Sequence, residues 1–510
     1  MSADTVPPPA PSARTSTNPT VLTALRTPRV LLREVLAGLV VALALIPEAI
    51  SFSIIAGVDP RVGLFSSFVM AVTIAFVGGR PAMISAATGA VALVIAPVMR
   101  EHGFDYFIAT VLLAGVLQIV LGLLGVARLM RFIPRSVMVG FVNALAILIF
   151  LAQLPHLDPR SVPWLVYPMV AVGIAIIVLF PRLTKVVPAP LVAIVLLTVV
   201  TLAAGLSLPD VGDQGALPDS LPAFFLPQVP LTLDTLQIIG PTALAMAMVG
   251  LLESLMTAKL VDDITDSGSD KTRESWGQGV ANIASGLFGG MGGCAMIGQT
   301  MINVKVSGAR TRISTFLAGA FLLVLVVVLG DVVALMPMAA LVAVMVMVSV
   351  ATFDWHSVRP STLRRMPLGE TVVMVVTVAV VVATHNLAIG VGVGVLTAMV
   401  VFARRVAHFA TVTRTLREEE DGPVAYYHVD GELFFASSND LTTQFDYAAD
   451  PARVVVDMRD SHIWDASTVA ALDAVVTKYG RHDKQVEIVG LNEASAARHG
   501  RLTGTLGGEG

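Results

Sequence analysis

Between residues 32 and 408 the chain is an almost unbroken series of long apolar blocks parted by short polar breaks. A helix needs about 20 successive apolar residues to cross a bilayer, at about 1.5 Å of rise each. Lipid also forbids irregular backbone unless protein or a cavity shields it. The blocks therefore predict an α-helical polytopic membrane protein. Composition agrees: 55% of the 510 residues are hydrophobic and 14% charged, with mean hydropathy +0.80, against about 25% charged in a soluble protein.

Counting blocks places membrane helices at 32–55, 62–78, 85–99, 106–126, 134–153, 162–181 and 187–205. A second set falls at 237–259, 275–290, 294–306, 313–330, 333–352, 369–385 and 387–408. The third block of each set is undersized and follows a break: GGRPAMISAATGAVALVIAPVM at 78–99, and GLFGGMGGCAMIGQTMINVKVS at 286–307. Two interrupted segments in corresponding halves point to a transporter's central binding site. Seven spans per repeat, an odd number, force the repeats into opposite orientations. Superposing ALIPEAISFSII (44–55) on VGLLESLMTAKL (249–260) puts Glu48 on Glu253 and, forty residues later, Thr88 on Gly293.

Arginine and lysine placement sets the orientation. With the N-terminus inside, inner loops carry Arg80, Arg128, Arg131, Arg135, Arg182, Lys185, Lys271, Arg273, Arg310, Arg312, Arg359, Arg364, Arg365, Arg404 and Arg405. The 206–234 segment has Asp210, Asp213, Asp219 and Asp234 and no basic residue. Both termini are thus expected in the cytoplasm, at the inner (plasma) membrane. Residues 1–29, rich in Pro, Ser, Thr and Ala, read as a disordered tail without a signal peptide. Beyond a linker at 409–423, which holds Arg414, Arg417 and the acidic run Glu418–Asp421, the pattern changes. Strand-like runs at 424–429, 432–436, 453–457 and 485–489 alternate with helical stretches near 439–447, 466–479 and after 493. That predicts a small α/β domain over 424–510 with a partly parallel sheet.

Glu48 and Glu253 are the first candidates for chemistry, because an ionisable residue inside an apolar span marks a functional site by default. Each could carry a proton or, ionised, ligate sodium; the bland alternative is a hydrogen-bonded link between helices. The expected half-helix starts are Ser85, Ala86, Ala87, Thr88 and Gly89, and Gly293, Cys294, Ala295, Met296 and Ile297. A helix N-terminus offers unpaired amides and about half a positive charge, so two facing ends make an anion site without a basic side chain. The competing reading is close helix packing by small residues. Gln299 and Thr300 follow one turn later, and Phe52 and Phe288 could close the site. Lys259 and Lys305 read as interfacial, and Asn143 and Gln118 as polar contacts between helices. Cys294, the one cysteine, excludes an intramolecular disulfide. Asp465-Ala-Ser467-Thr468 reads as a helix cap, with Ser467 as a regulatory phosphorylation site the alternative. No metal cluster, nucleotide loop or catalytic triad spacing is present, so neither an enzyme nor a cofactor is expected, and no nucleic-acid partner.

These stretches resemble the sulfate permease (SulP) family, relatives of solute carrier family 26. The likeness rests on IPEAISFSIIAGVDPRVGLFSS (46–67), GFVNALAIL (140–148), LLESLMTAKLVDDIT (251–265) and GQGVANIASGLFGGMGGCAMIGQT (277–300). VVVDMRDSHIWDASTVAAL (454–472) is similar to the STAS domain that such transporters carry. The resemblance implies a seven-plus-seven inverted repeat, a core that moves like an elevator against a gate, a homodimer and a cytoplasmic STAS domain with its own partners. It implies a substrate among sulfate, bicarbonate, chloride, oxalate and C4-dicarboxylates, and Glu253 and Thr257 at the place of a sodium site. Many relatives have a basic residue where this chain has Gln299, which favours a substrate that arrives with a compensating cation. The expectation is proton-coupled symport of a small carboxylate or oxyanion, a C4-dicarboxylate such as fumarate first. Sodium-coupled bicarbonate or sulfate transport is the alternative. A nucleobase permease, or a membrane sensor acting through the STAS domain, is more remote.

Overall fold

The structure, a computed structural model, describes residues 19–125, 128, 133–183, 188–407, 411–420, 422–435, 437 and 441–504. The first 18 residues of the expected tail, Arg131, Lys185, Asp421 and residues 409–410, 439–440 and 505–510 of the predicted segments lie outside the described residues. The chain divides into two compact units, one to Val395 and one from Leu396.

In the first unit a helix stands at each place that the apolar blocks predict. They are α2 (Pro28–Ala56), α3 (Pro60–Val77), α4 (Gly89–His102), α5 (Phe104–Leu123), α6 (Arg135–Leu151), α7 (Val166–Leu179) and α8 (Ala189–Ala203). The second set is α9 (Leu233–Thr265), α10 (Lys271–Leu287), α11 (Ile297–Met301), α12 (Arg312–Ala334), α13 (Met338–Thr352), α15 (Leu368–Thr384) and α16 (Leu387–Ala407), the last crossing the division between the units. Two short helices, α1 (Val21–Arg26) and α14 (Pro360–Arg365), are additional. Pro28 and Pro60 open α2 and α3 in the first turn, where a missing amide costs nothing. Among the described residues seven helices are long and apolar enough to cross a membrane, and four shorter ones are apolar. Helix α10 is not apolar, because its inward side carries Glu274, Ser275, Gln278, Asn282 and Ser285, all buried in protein rather than facing lipid.

The packing repeats itself. Helix α5 packs on α10 and α9, and its counterpart α12 packs on α3 and α2; α6 packs on α15, and its counterpart α13 on α7. Such paired contacts are what an inverted repeat produces. The segment between the halves lies pinned over helix ends. Val211 N donates to Met336 O and Met338 N to Pro209 O, then Arg61 N to Ala216 O and Phe225 N to Leu287 O.

In the second unit the sheet order is β3 (Thr411–Glu419), β4 (Gly422–Leu433), β5 (Arg453–Ile463), β6 (Gln485–Val489). The β3–β4 pair is antiparallel, and β4–β5 and β5–β6 are parallel. Helices α17 (Ala466–Gly480) and α18 (Glu493–Leu502) complete an α/β fold. The expected linker is therefore a correction: Arg414, Arg417 and Glu418 belong to β3, which pairs with β4 along its length. Charge made this strand look like a tether, but an exposed edge strand tolerates charge and is protected by it. The strand expected at 424–429 runs on, with a register shift between His428 and Asp430, into Glu432 and Leu433 of the one expected at 432–436, and ends there.

Candidate functional site

The two breaks meet. Strand β1 (Ser85–Ala86) pairs antiparallel with β2 (Cys294–Ala295), Ser85 opposite Ala295 and Ala86 opposite Cys294. Met296 N donates to Ile84 O at 2.8 Å, and Ile84 N to Thr300 Oγ1 at 3.0 Å. Four residues expected in half-helices are thus strand, a correction: each broken segment pairs with the other before its helix begins. The crossing satisfies backbone groups that lipid would leave unpaired. Gly293 permits it, since a Cβ there would stand 1.9 Å from Ala86 O.

Thr88 caps α4, its hydroxyl accepting from Val91 N at 3.4 Å, and Gly89 is the first helical residue. A Cβ on Gly89 would come within 2.9 Å of the Phe52 ring, so this start is fitted against Phe52. The cap of α11 is Met296, three residues beyond the Gly293 that the direct superposition of the halves predicts. Helix α11 then continues as a π-turn over Ile302–Val306. Ile297 is half-buried and Gly298 exposed, with nothing within 4 Å of a Cβ built there. The first turn of α11 is thus open on the side of Gly298.

Helix α10 holds the crossing in place. Asn282 Nδ2 donates to Gln118 Oε1 (2.8 Å) and Gly293 O (3.1 Å), while its Oδ1 accepts from Gly293 N (2.8 Å). Gln278 Nε2 donates to Ser85 Oγ (2.6 Å) and to Glu274 Oε1 (2.8 Å). Glu274 Oε2 accepts from Gly79 N and Arg80 N. Ala295 N donates to Ser254 Oγ, and Ala87 N to Ser67 Oγ. None of Asn282, Gln278 and Glu274 was among the sequence candidates, although polar residues at 274, 278, 282 and 285 share one helical face. Replacing Asn282 by Leu keeps the volume but unpairs Gly293 N, at about 1–3 kcal/mol for a buried donor. A roughly tenfold loss of transport is expected, measured as uptake per folded protein.

The two glutamates have separate partners. Glu253 is buried and accepts from Cys294 Sγ at 2.9 Å, and the same sulfur is 3.1 Å from Thr88 Oγ1. Glu48 is half-buried and is met by the side chain of Gln299. The Gln299 amide nitrogen is enclosed and makes no hydrogen bond of standard geometry among the described residues. Thr257 turns its hydroxyl to Glu253 O at 2.8 Å, along the helix rather than to the carboxylate. The structure thus brings Ser85, Ala86, Thr88, Gly89, Gly293, Cys294, Ala295, Met296, Phe52, Gln299 and both glutamates to one crossing. Phe288 does not join them. It meets Phe224 edge-on in a cavity of about 770 Å³ with Ile54, Phe65, Phe104 and Phe225. Gln118 ties α5 to α10 through Asn282, whereas Asn143 ties α6 to the turn after α13 through Ser357 Oγ and Asp354 N.

Several cations read as loop charges have structural partners. Arg80 is buried and pairs with Asp262 at 3.1 Å, which also holds Lys271. Arg273 and Arg312 both donate to carbonyls of the 74–78 segment. In the second unit Asp465 accepts from Thr468 N at 3.1 Å as the cap of α17, and Ser467 beside it is exposed.

A sequence model of the sulfate permease family matches residues 31–158 and 164–377, and that of the STAS domain matches 416–504. YbaR of Bacillus subtilis (strain 168) is 53% identical over 463 residues, covering 91% of this chain and 95% of its own. The bicarbonate transporter BicA of Picosynechococcus is 26% identical, with 90% and 88% covered. Among solved structures, the membrane domain of a cyanobacterial BicA superposes with a TM-score of 0.60 at 25% identity, covering 73% of this chain and 98% of its own. The murine Slc26a9 anion transporter, inward-facing, reaches 0.77 at 17% identity, with 92% and 87% covered, a likeness of fold.

Proposed function

This chain belongs to the sulfate permease family of membrane anion transporters, and from that premise we propose that it imports a small carboxylate or oxyanion together with a proton. The supporting observation is the crossing itself. A helix starts from each end of the paired strands, and neither 85–91 nor 293–299 contains an arginine or lysine. Two helix N-termini supply about one positive charge between them. Two ionised glutamates beside them would oppose any anion, so binding the anion favours a proton on a glutamate and the reverse. A monoanion balances the helix ends, and a dianion such as fumarate or sulfate needs the proton more.

Sodium would supply the same charge, and Glu253 with Thr257, which the family resemblance puts at the place of a sodium site, makes that the second reading. Against it, Glu253 is met by a thiol, and the Thr257 hydrogen goes to a backbone carbonyl. Sodium wants converging oxygens. The same reading includes elevator movement of the core helices, a homodimer, cytoplasmic termini at the inner membrane, a cytoplasmic partner of the STAS domain, and Ser467 as a regulatory phosphorylation site.

The test is uptake of labelled fumarate, bicarbonate and sulfate into proteoliposomes under an inward proton gradient, an inward sodium gradient or neither. We expect roughly tenfold proton stimulation for one anion, lost in Glu253→Gln or Glu48→Gln. Stimulation by sodium alone would replace the proton with a cation site at Glu253. Uptake indifferent to both gradients would remove coupled import.

A further inference from the structure

Thr88, Cys294 and Glu253 form a line of three buried side chains, with Thr88 Oγ1 to Cys294 Sγ at 3.1 Å and Cys294 Sγ to Glu253 Oε2 at 2.9 Å. The hydroxyl and the thiol carry one hydrogen each. Such a line can run in only two directions. With Glu253 ionised, the S–H donates to the carboxylate and the Thr88 O–H donates to sulfur. With Glu253 protonated, its O–H donates to sulfur, the S–H turns to Thr88 Oγ1, and the Thr88 hydrogen is released. Thr88 Oγ1 has a lone pair for the thiol and another for Val91 N, which it already caps. The released hydrogen therefore stands at the N-terminus of α4, where that helix's first amides are also unpaired.

We propose that Cys294 is a positioning residue that couples protonation of Glu253 to anion binding by reversing this line. Only the proton taken up by Glu253 changes its heavy atom; the Thr88 and Cys294 hydrogens rotate about their own bonds. Protonation then adds a donor to the anion's end of α4, and ionisation withdraws it. This rests on the proton-coupled reading above and supplies the route that links its two sites. A sodium ion would hold Glu253 ionised and keep the Thr88 hydrogen on sulfur.

The other ionisable groups of the surrounding helices are engaged elsewhere. Glu274 of α10 is taken by Gly79 N, Arg80 N and Gln278, and Glu48 of α2 is met by Gln299. Asp262 of α9 pairs with Arg80 and Lys271, and Asp105 of α5 accepts from Gln228 N. Arg100 and His102 stand in the last turn of α4, away from Thr88. Lys259 and Lys305 are exposed.

Three variants test this in proteoliposomes: Cys294→Ala, which cuts the line; Cys294→Ser, which restores a group with one hydrogen; and Thr88→Val, which cuts it at the other end. The readout is the ratio of anion uptake with and without an inward proton gradient. This ratio is internal to each preparation and independent of how much protein folds. Wild type should show roughly tenfold stimulation. Cys294→Ala and Thr88→Val should fall to within about twofold of no stimulation, and Cys294→Ser should keep most of it. If Cys294→Ala gives no uptake, Thr88→Val and Cys294→Ser decide by the same ratio. Full stimulation in Cys294→Ala, or in Thr88→Val, overturns the relay, as does its loss in Cys294→Ser. A wild type without proton stimulation instead overturns the proton-coupled reading beneath it.

Discussion

Gly293→Ala is expected to reduce anion uptake on the order of 100-fold. The added carbon would lie 1.9 Å from Ala86 O, 2.6 Å from Ala86 C and 3.0 Å from Ala87 N. All three are backbone atoms of the opposite broken segment, so no side chain can turn away. The pair β1–β2 must open, and with it go the spacing of the two helix starts and the contact from Cys294 to Thr88. Misplacing a binding group by about 1 Å is enough for a loss of this size. Gly392→Ala is the control, because a Cβ there meets nothing within 4 Å. It should transport as wild type does. Uptake per monodisperse protein decides; a Gly293→Ala protein with wild-type uptake would show that the crossing opens without consequence.

The second large effect is on stability, in the second unit. Asp450 is buried and accepts from Arg414 (Nε at 2.7 Å, Nη2 at 2.6 Å), the Tyr427 hydroxyl at 2.7 Å and the Tyr479 hydroxyl at 2.5 Å. Asp450→Ala leaves two buried phenols without their acceptor, at about 1–3 kcal/mol each. A unit of this size should melt about 15 °C lower or more. Hydrogen exchange of the full chain, read on β4, β5 and α17, measures this separately from the membrane helices. Burial, and then the hydrogen bond to Asp450, push the Tyr479 phenol above the ordinary tyrosine range, and Tyr427 shifts the same way for the same causes. Folded phenols therefore hold their protons more tightly than unfolded ones. Their contribution is complete below about pH 10 and declines as pH rises further. Alkaline unfolding should steepen there, and Asp450→Ala should blunt it.

The apolar blocks carried most of the fold because each must bury its backbone alone, and a charge among them stands out. Glu48 and Glu253 were visible for that reason. The strand pair was not, since two residues leave no period to read, and each strand's partner lies some two hundred residues away. Helix α10 was placed by position, but its role was hidden because Gln278 and Asn282 look like ordinary polar residues until Ser85 and Gly293 arrive beside them. The offset between Thr88 and Met296 escaped for another reason. Direct superposition assumes equal lengths, and the second half inserts residues before its cap. In the second unit the sequence of β3 resembles a linker, because charge on an edge strand and charge on a linker look alike in sequence.

The pinned segment between the halves also sets a mechanical limit. Val211 is fastened at Met336, at the turn into α13, and Ala216 is fastened at Arg61, at the start of α3. Four residues lie between the two fastenings, and drawn straight the span from Val211 to Ala216 reaches about 17 Å. At present part of that length is wound into the turn Gly212–Gln214. This leash can lengthen only by unwinding that turn. While both fastenings hold, it caps the stroke of any motion that separates α3 from α13, whatever anion is carried.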